Sequence, residues 1–287
     1  MSLSIKTPLL ESLPLGRLNN TRVWLKMEAM QPSGSFKIRG VGHACEKHYA
    51  RGARRFISSS GGNAGLAVAY VGRKLGVPVV VVVPETTSER ARHLLALEGA
   101  DVKVHGKTWA EANELALSLL TGEDAFLHPF DDPLLWEGHA SMIDEVVAEG
   151  IHPDAVVLSV GGGGLLSGVD EGLRRNGLDH VPIFAVETDG MSSFQTALNA
   201  GKPVPVPELT GVATSLGARQ VCQRAYDLTK DRKVISFTVS DREAVDACLA
   251  FIDDHRTLVE PACGASLALL YGQKMPIGEF KNVLVIV

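Results

Sequence analysis

The sequence predicts an α/β protein built on parallel sheets, and three observations carry the prediction. Short β-branched runs alternate with longer amphipathic segments from residue 56 onward. Glycine-rich turns fall where a strand should pass into a helix, in "SSSGGNAG" at 58–65 and "SVGGGGLLSG" at 159–168. The chain has 287 residues, 45% of them hydrophobic, enough to bury one large core or two medium ones.

Each element follows from a local signal. "RFISSS" (55–60) reads as a strand and "NAGLAVAYVGRKLG" (63–76) as a helix ended by Gly76. "VPVVVVV" (77–83) is a buried strand, "SERARHLLALEGA" (88–100) a helix, "DVKVH" (101–105) a strand and "WAEANELALSLL" (109–120) a helix. A second α/β unit starts with the strand "AVVLSV" (155–160), runs through "GGGGLLSGVDEGLRRNG" and returns in the strand "PIFAVE" (182–187). The helix near 241–255 opens on a capping box, Ser240 with Glu243, and lines up Ala244, Ala247, Cys248, Phe251 and Ile252 on one face. "VLVIV" (283–287) is a final strand. Two such units imply two lobes, with a ligand cleft expected at the carboxyl ends of the strands.

Composition narrows the function. A net charge of −5 without a basic run argues against nucleic acid, so a small-molecule partner is expected. The longest apolar stretch, "VPVVVVVP" (77–84), is far too short to cross a bilayer, and the N-terminus lacks the apolar core of a secretory signal, so no membrane partner and a cytoplasmic location are expected. Cys45, Cys222, Cys248 and Cys263 show no C-x-x-C spacing and read as free thiols; no H-E-x-x-H occurs, and no zinc site is expected.

Three stretches bear on chemistry. In "QPSGSFKIRG" (31–40), Lys37 stands between Phe36 and Ile38. It is either a surface lysine whose stem lies along its neighbours or an amine kept dry enough to act as a nucleophile. If Ser35 caps a helix, Lys37 lies in the first turn, where the helix dipole and the apolar neighbours both disfavour an ammonium. Gly161, Gly162, Gly163 and Gly164 offer a row of backbone N–H groups at a helix start, a phosphate cradle, or else a loop that only permits close packing. A dinucleotide fingerprint fails on spacing, because it demands glycine where Leu166 or Ser167 stands; a P-loop at "GKT" (106–108) fails at Asp101. In the third stretch Ser59, Ser60, Gly61, Gly62, Asn63 and Ala64 could cradle a carboxylate, unless Ser60 or Asn63 simply caps the helix. An amine, a phosphate cradle and a carboxylate cradle describe a site for a phosphorylated aldehyde cofactor and an amino acid.

"PSGSFKIRG", "SSSGGNAG", "FDDPLLWEGHAS", "SVGGGGLLSGV" and "LVEPACGAS" together resemble the fold-type II pyridoxal-phosphate enzymes, and within them the serine/threonine dehydratase group. The likeness runs from about Thr7 to the last residue. It implies a two-lobed, tryptophan synthase β-like fold with helices on both faces of its sheets: a large cofactor-binding domain of residues 1–37 and 137–287 and a small substrate-side domain of 38–136. It implies L-serine/L-threonine ammonia-lyase activity, with a racemase, a β-replacing synthase, a phenylserine dehydratase or a weakly active cofactor-binding module as alternatives. By that resemblance Lys37 would bond the aldehyde of pyridoxal 5'-phosphate, Phe36 would lie against its ring and Asn63 would bond its phenolic oxygen. Gly161 to Gly164 with Leu165 would hold the phosphate, and Ser60, Gly61, Asn63 and Ala64 the substrate carboxylate. A monovalent cation such as K+ would sit at Glu187 with main-chain oxygens around Gly161, Leu216 and Ala218, and the protein would be a homodimer. Gly61 replaces an alanine found in part of the group, which would loosen the loop. In the group, the strand resembling "VLVIV" runs into a Cys- or Ser-Gly-Gly turn whose thiol or hydroxyl meets the pyridine nitrogen; either the sequence is truncated at Val287 or the ring nitrogen lacks that partner, and Cys263 in "EPACGAS" belongs to a different motif.

Overall fold

The computed structural model describes residues 3–275 and 279–287. In chain order, β1 (Leu9–Glu11), α1 (Leu13–Asn19) and β2 (Arg22–Lys26) come first. They are followed by α2 (Lys37–Ala50), β3 (Arg55–Ser58), α3 (Asn63–Leu75), β4 (Val79–Val83), α4 (Glu89–Leu97), β5 (Asp101–Val104), α5 (Trp109–Ser118), β6 (Asp124–Phe126) and α6 (Pro133–Ala148). The chain ends with β7 (Ala155–Ser159), α7 (Gly164–Arg175), β8 (Ile183–Thr188), α8 (Ser193–Ala200), α9 (Gln223–Asp231), β9 (Val234–Val239), α10 (Asp241–His255), α11 (Pro261–Tyr271) and β10 (Asn282–Ile286). Two compact units result: Met1–Ile5 with Gln31–His139, and Lys6–Met30 with Ala140–Val287. Lys37 belongs to the first, and one boundary falls inside α6.

The first unit holds a four-stranded, wholly parallel sheet in the order β5-β4-β3-β6. Successive side chains of a strand face opposite sides, so Val79, Val81 and Val83 bury into one cluster with Ile38, Val68 and Val71 of α2 and α3, while Val80 and Val82 bury into another with Ala112 and Ala116 of α5. That double burial is why the run is unbroken valine rather than an alternating pattern. Pro78 precedes the strand without an N–H, yet its carbonyl still accepts from Phe56. Gly76 closes α3 in the left-handed conformation (φ +66°), as expected of a C-terminal glycine.

The second unit holds a six-stranded sheet in the order β1-β2-β10-β7-β8-β9, parallel except for the β1–β2 pair. The last strand lies in the middle: Val285 pairs with Leu25 on one side and Val157 on the other. Val23, Leu25, Val157, Phe184, Val283 and Val285 face α10 and α11, and their alternates Val156, Leu158, Ala185 and Leu284 are equally buried on the opposite face. No helix among the described residues is long and apolar enough to cross a membrane.

A buried ion cluster ties α7 to α9 and to Arg232, the C-cap residue of α9. Asp170 of α7 is fully buried; its Oδ2 accepts from Arg174 Nε and Arg224 Nη2, both at 2.9 Å, and its Oδ1 pairs with the equally buried Arg232. Removing the carboxylate strands a desolvated guanidinium, which costs far more than losing a surface pair. Asp170→Ala should therefore lose about 3–5 kcal/mol of stability, measured as the shift in a urea unfolding midpoint at unchanged slope.

Candidate active site

In the first unit, the segment before α2 is drawn tight by local bonds. Gln31 grips the backbone of Ile5 through both ends of its amide, each at 3.0 Å, and Gly34 turns at φ +78° with its N–H on the Gln31 carbonyl. Phe36, and not Ser35, is the N-cap residue of α2, and no side chain caps it. The expected serine cap is not made. The Ser33 and Ser35 hydroxyls are buried without a hydrogen-bond partner among the described residues, because the chain enters the helix already in helical conformation at Phe36 and the Ser35 hydroxyl never meets a first-turn N–H. Lys37 is thus the first residue of α2, and it is half-buried. Its Nζ donates to the Pro129 carbonyl at 2.6 Å and lies 5.2 Å from the centre of the Phe36 ring. His128 shapes the loop that supplies this carbonyl: its Nδ1 accepts from the N–H groups of Phe130 and Asp131 at 3.2 and 2.8 Å, and its ring meets Phe130 edge-on.

The turn from β3 into α3 carries the other candidates of this unit. Gly62 is the N-cap, without a side-chain cap bond, and Ser60 Oγ accepts the Gly62 N–H at 3.3 Å. The positive end of α3 lies at Asn63 and Ala64, a place that favours an anion. Ser59 is buried and bonds Asn113 at 2.8 Å. Gly65 is obligatory by contact, because a Cβ there would lie 1.8 Å from the Ser60 carbonyl oxygen; one on Gly61 would meet the end of the Thr87 side chain, Cγ2 at 2.7 Å, which would have to shift.

In the second unit the four glycines join β7 to α7. Each carbonyl is pinned: Gly161 O accepts from Ser193 Oγ at 3.1 Å, Gly162 O from the Cys222 N–H at 3.0 Å, and Gly163 O from the Ser167 N–H at 2.9 Å. A trans peptide points its N–H opposite to its C=O, so the N–H groups of Gly162, Gly163 and Gly164 turn away from those partners. Gly163 takes φ +93°, and a Cβ there would lie 2.4 Å from Ala225 Cβ; a Cβ on Gly161 would lie 3.0 Å from the Leu216 carbonyl oxygen. Gly163 has no room for a side chain and Gly161 has little, and with Leu165 in the first turn of α7 the loop fits a phosphate group.

Glu187 ends β8, fully buried. Its two oxygens accept from the N–H groups of Phe194 and Gln195 at 2.7 and 2.8 Å, at the start of α8. Burial pushes its carboxyl up to about 7 despite those two bonds, and no cationic side chain pairs with it among the described residues. Gly161 reaches the same place through Ser193, and the Leu216 carbonyl lies against Gly161 while accepting the Ala218 N–H at 2.7 Å. Among the described residues no three His, Cys, Asp or Glu side chains group as a metal site.

The sequence singled out "FDDPLLWEGHAS" as a motif without giving its residues roles, and it passed over His128 and Pro129 altogether. Their part depends on a contact between positions 92 residues apart, which no local periodicity reports.

Comparison with known proteins agrees with this geometry. The chain is 53% identical over 268 residues to the serine dehydratase-like protein of Mus musculus, covering 92% of this chain and 81% of that one. It is 47% identical over 306 residues to the L-serine dehydratase of Dictyostelium discoideum, covering 99% and 87%. A fungal L-serine ammonia-lyase from Rhizomucor miehei superposes with a TM-score of 0.93 at 35% identity, over 100% of this chain and 94% of that one. Residues 2–287 match the family described as pyridoxal-phosphate dependent enzyme. A half-buried lysine at a helix start, a glycine loop opening α7 and these likenesses have one common explanation: the chain belongs to the pyridoxal-phosphate dependent enzyme family.

Proposed function

We propose that the protein is a pyridoxal-phosphate-dependent ammonia-lyase that removes water and then ammonia from L-serine or L-threonine, giving pyruvate or 2-oxobutanoate. The observation that carries it is the placement of the Lys37 amine, half-buried at the first position of α2 and held on the Pro129 carbonyl. The dehydratase names of the relatives set the substrate class.

Bound pyridoxal phosphate supplies an aldehyde for an amine and a ring that takes up the electron pair left by a departing Cα proton. The residues supply the rest. Gly161 to Gly164 and Leu165 bind the phosphate through backbone N–H groups and the positive end of α7. Lys37 would hold the aldehyde carbon through Nζ, and the same nitrogen, when free, would take the proton from the substrate's Cα, oriented by the Pro129 carbonyl. Phe36 offers a flat apolar face to the ring, and the Asn63 amide bonds its phenolic oxygen. Ser60, Gly61, Asn63 and Ala64 hold the substrate carboxylate at the start of α3. Loss of the Cα proton and the β-hydroxyl leaves an enamine, whose hydrolysis returns the water and releases ammonia. K+ beside Glu187 belongs to the same reading, because a buried carboxylate without a cationic partner is the natural seat for one. The reading extends to a homodimer in the cytoplasm.

The test is a panel of L-serine, L-threonine and L-phenylserine with and without potassium. Ammonia and the matching 2-oxo acid should appear in equal amounts from serine or threonine alone, faster with K+ than with Na+. D-serine as product, or a requirement for sulfide, would replace this reading by a racemase or a synthase.

A further inference from the structure

His139 lies in α6, fully buried, and the reaction as described above gives it no part. Its Nδ1 accepts the backbone N–H of Gly40 at 3.1 Å. Gly40 is the fourth residue of α2, and a regular helix would send that N–H to the carbonyl of Phe36, four residues back. Here the Phe36 carbonyl takes the N–H of Arg39 at 3.0 Å and the Ser35 carbonyl that of Ile38, so the turn bearing Lys37 is wound tighter than the rest of α2. His139 absorbs the donor which that tightening releases.

The same ring meets the Phe36 ring edge-on at 4.9 Å, and Lys37 Nζ lies 5.2 Å over Phe36. Close approach is built in on both helices. A Cβ on Gly40 would lie 2.5 Å from His139 Cε1, and one on Gly138 would lie 2.5 Å from the Arg39 carbonyl oxygen. With Nδ1 accepting, the neutral ring carries its proton on Nε2. Burial, reinforced by the charges of Lys37 and Arg39 and opposed by the nearby Phe36 carbonyl, holds the imidazole well below its ordinary range and keeps it neutral.

We propose that His139 is a positioning residue for Lys37: as a neutral acceptor it holds the first turn of α2 in its tight form and braces Phe36, and so sets the direction of the Lys37 amine. This rests on the reading of Lys37 as the amine that bonds the cofactor. A residue of this kind acts on the position of the base, so it should move kcat more than KM.

The experiment compares His139→Leu, which has no acceptor, with His139→Asn, whose Oδ1 can stand where Nδ1 stands. In holoenzyme of equal melting temperature, His139→Leu should lower kcat on L-serine by about ten- to a hundredfold with KM changed less than about threefold, and His139→Asn should recover most of the loss. Equal behaviour of the two variants, or wild-type kcat in His139→Leu, overturns the proposal. Should His139→Leu not fold, the unmodified protein still decides: nitrogen-15 spectra of its histidines must show His139 bare at Nδ1 and protonated at Nε2, and the opposite tautomer overturns the role. Borohydride trapping separates the two readings. A pyridoxyl mark on Lys37 with indistinguishable variants sinks only His139, whereas a mark on another lysine removes the reading of Lys37 and this one with it.

Discussion

Lys37→Ala is expected to fold, to lose the visible absorbance band that borohydride abolishes, and to lose turnover by about a thousandfold or more. The fold should survive because the side chain is half-buried and its bond to the Pro129 carbonyl is worth about 1 kcal/mol net. An ammonium at a helix N-terminus is also opposed by the dipole, so alanine recovers part of that loss. The melting temperature of the variant should stay within about 5 °C of the parent. Turnover has no such compensation, because one nitrogen is asked to bond the aldehyde and to take the Cα proton, and alanine does neither. The check is absorbance, ammonia release and the mass of the borohydride-treated peptide. A variant that keeps both the band and the ammonia would place the reactive amine on another lysine.

Gly163→Ala should lower stability and cofactor affinity together. At φ +93° an alanine is strained by about 1–3 kcal/mol, and its Cβ would meet Ala225 Cβ at 2.4 Å and Val221 Cγ2 at 3.0 Å. Overpacking of that kind adds about 1–3 kcal/mol, and the only relief is to move the loop or α9. Either movement displaces the Gly162, Gly163 and Gly164 N–H groups, so cofactor affinity should fall together with stability. Gly177→Ala is the control. Gly177 also has a positive φ, +72°, but nothing lies within 4 Å of its Cβ position, so that variant should show the strain alone and retain the cofactor. Equilibrium dialysis of pyridoxal phosphate and urea unfolding of both variants separate the two contributions. Wild-type affinity in Gly163→Ala would show that the loop does not hold the phosphate.

Much of the architecture was legible because it is local. The valine run of β4, the glycine ending α3 and the Ser240–Glu243 box opening α10 each carry their signal within a few residues, and each sits where it was expected. Helix α11 gave no such signal. Ala262, Ala265, Leu267, Leu269 and Leu270 are buried around its whole circumference, so no stripe distinguishes one face, and Gly264 lets it approach α10 so closely that a Cβ would lie 2.1 Å from the Ala244 carbonyl oxygen. Thr108 and Glu111 form a second capping box, at α5, which was readable and not read.

Composition and motif spacing narrowed the class of chemistry, through a lysine between apolar neighbours, two glycine turns at helix starts and no basic run to bind phosphate backbones, and the likeness of five motifs to one family named it. Those properties belong to single short segments, and a segment keeps them wherever the chain takes it. Only the tertiary structure decided that the last strand lies in the middle of its sheet, that Phe36 rather than Ser35 opens α2, and that the partners of that turn are Pro129 and His139, about a hundred positions downstream. Such pairings are set by how helices and strands stack, and residues that far apart become neighbours through topology, which no window of sequence contains.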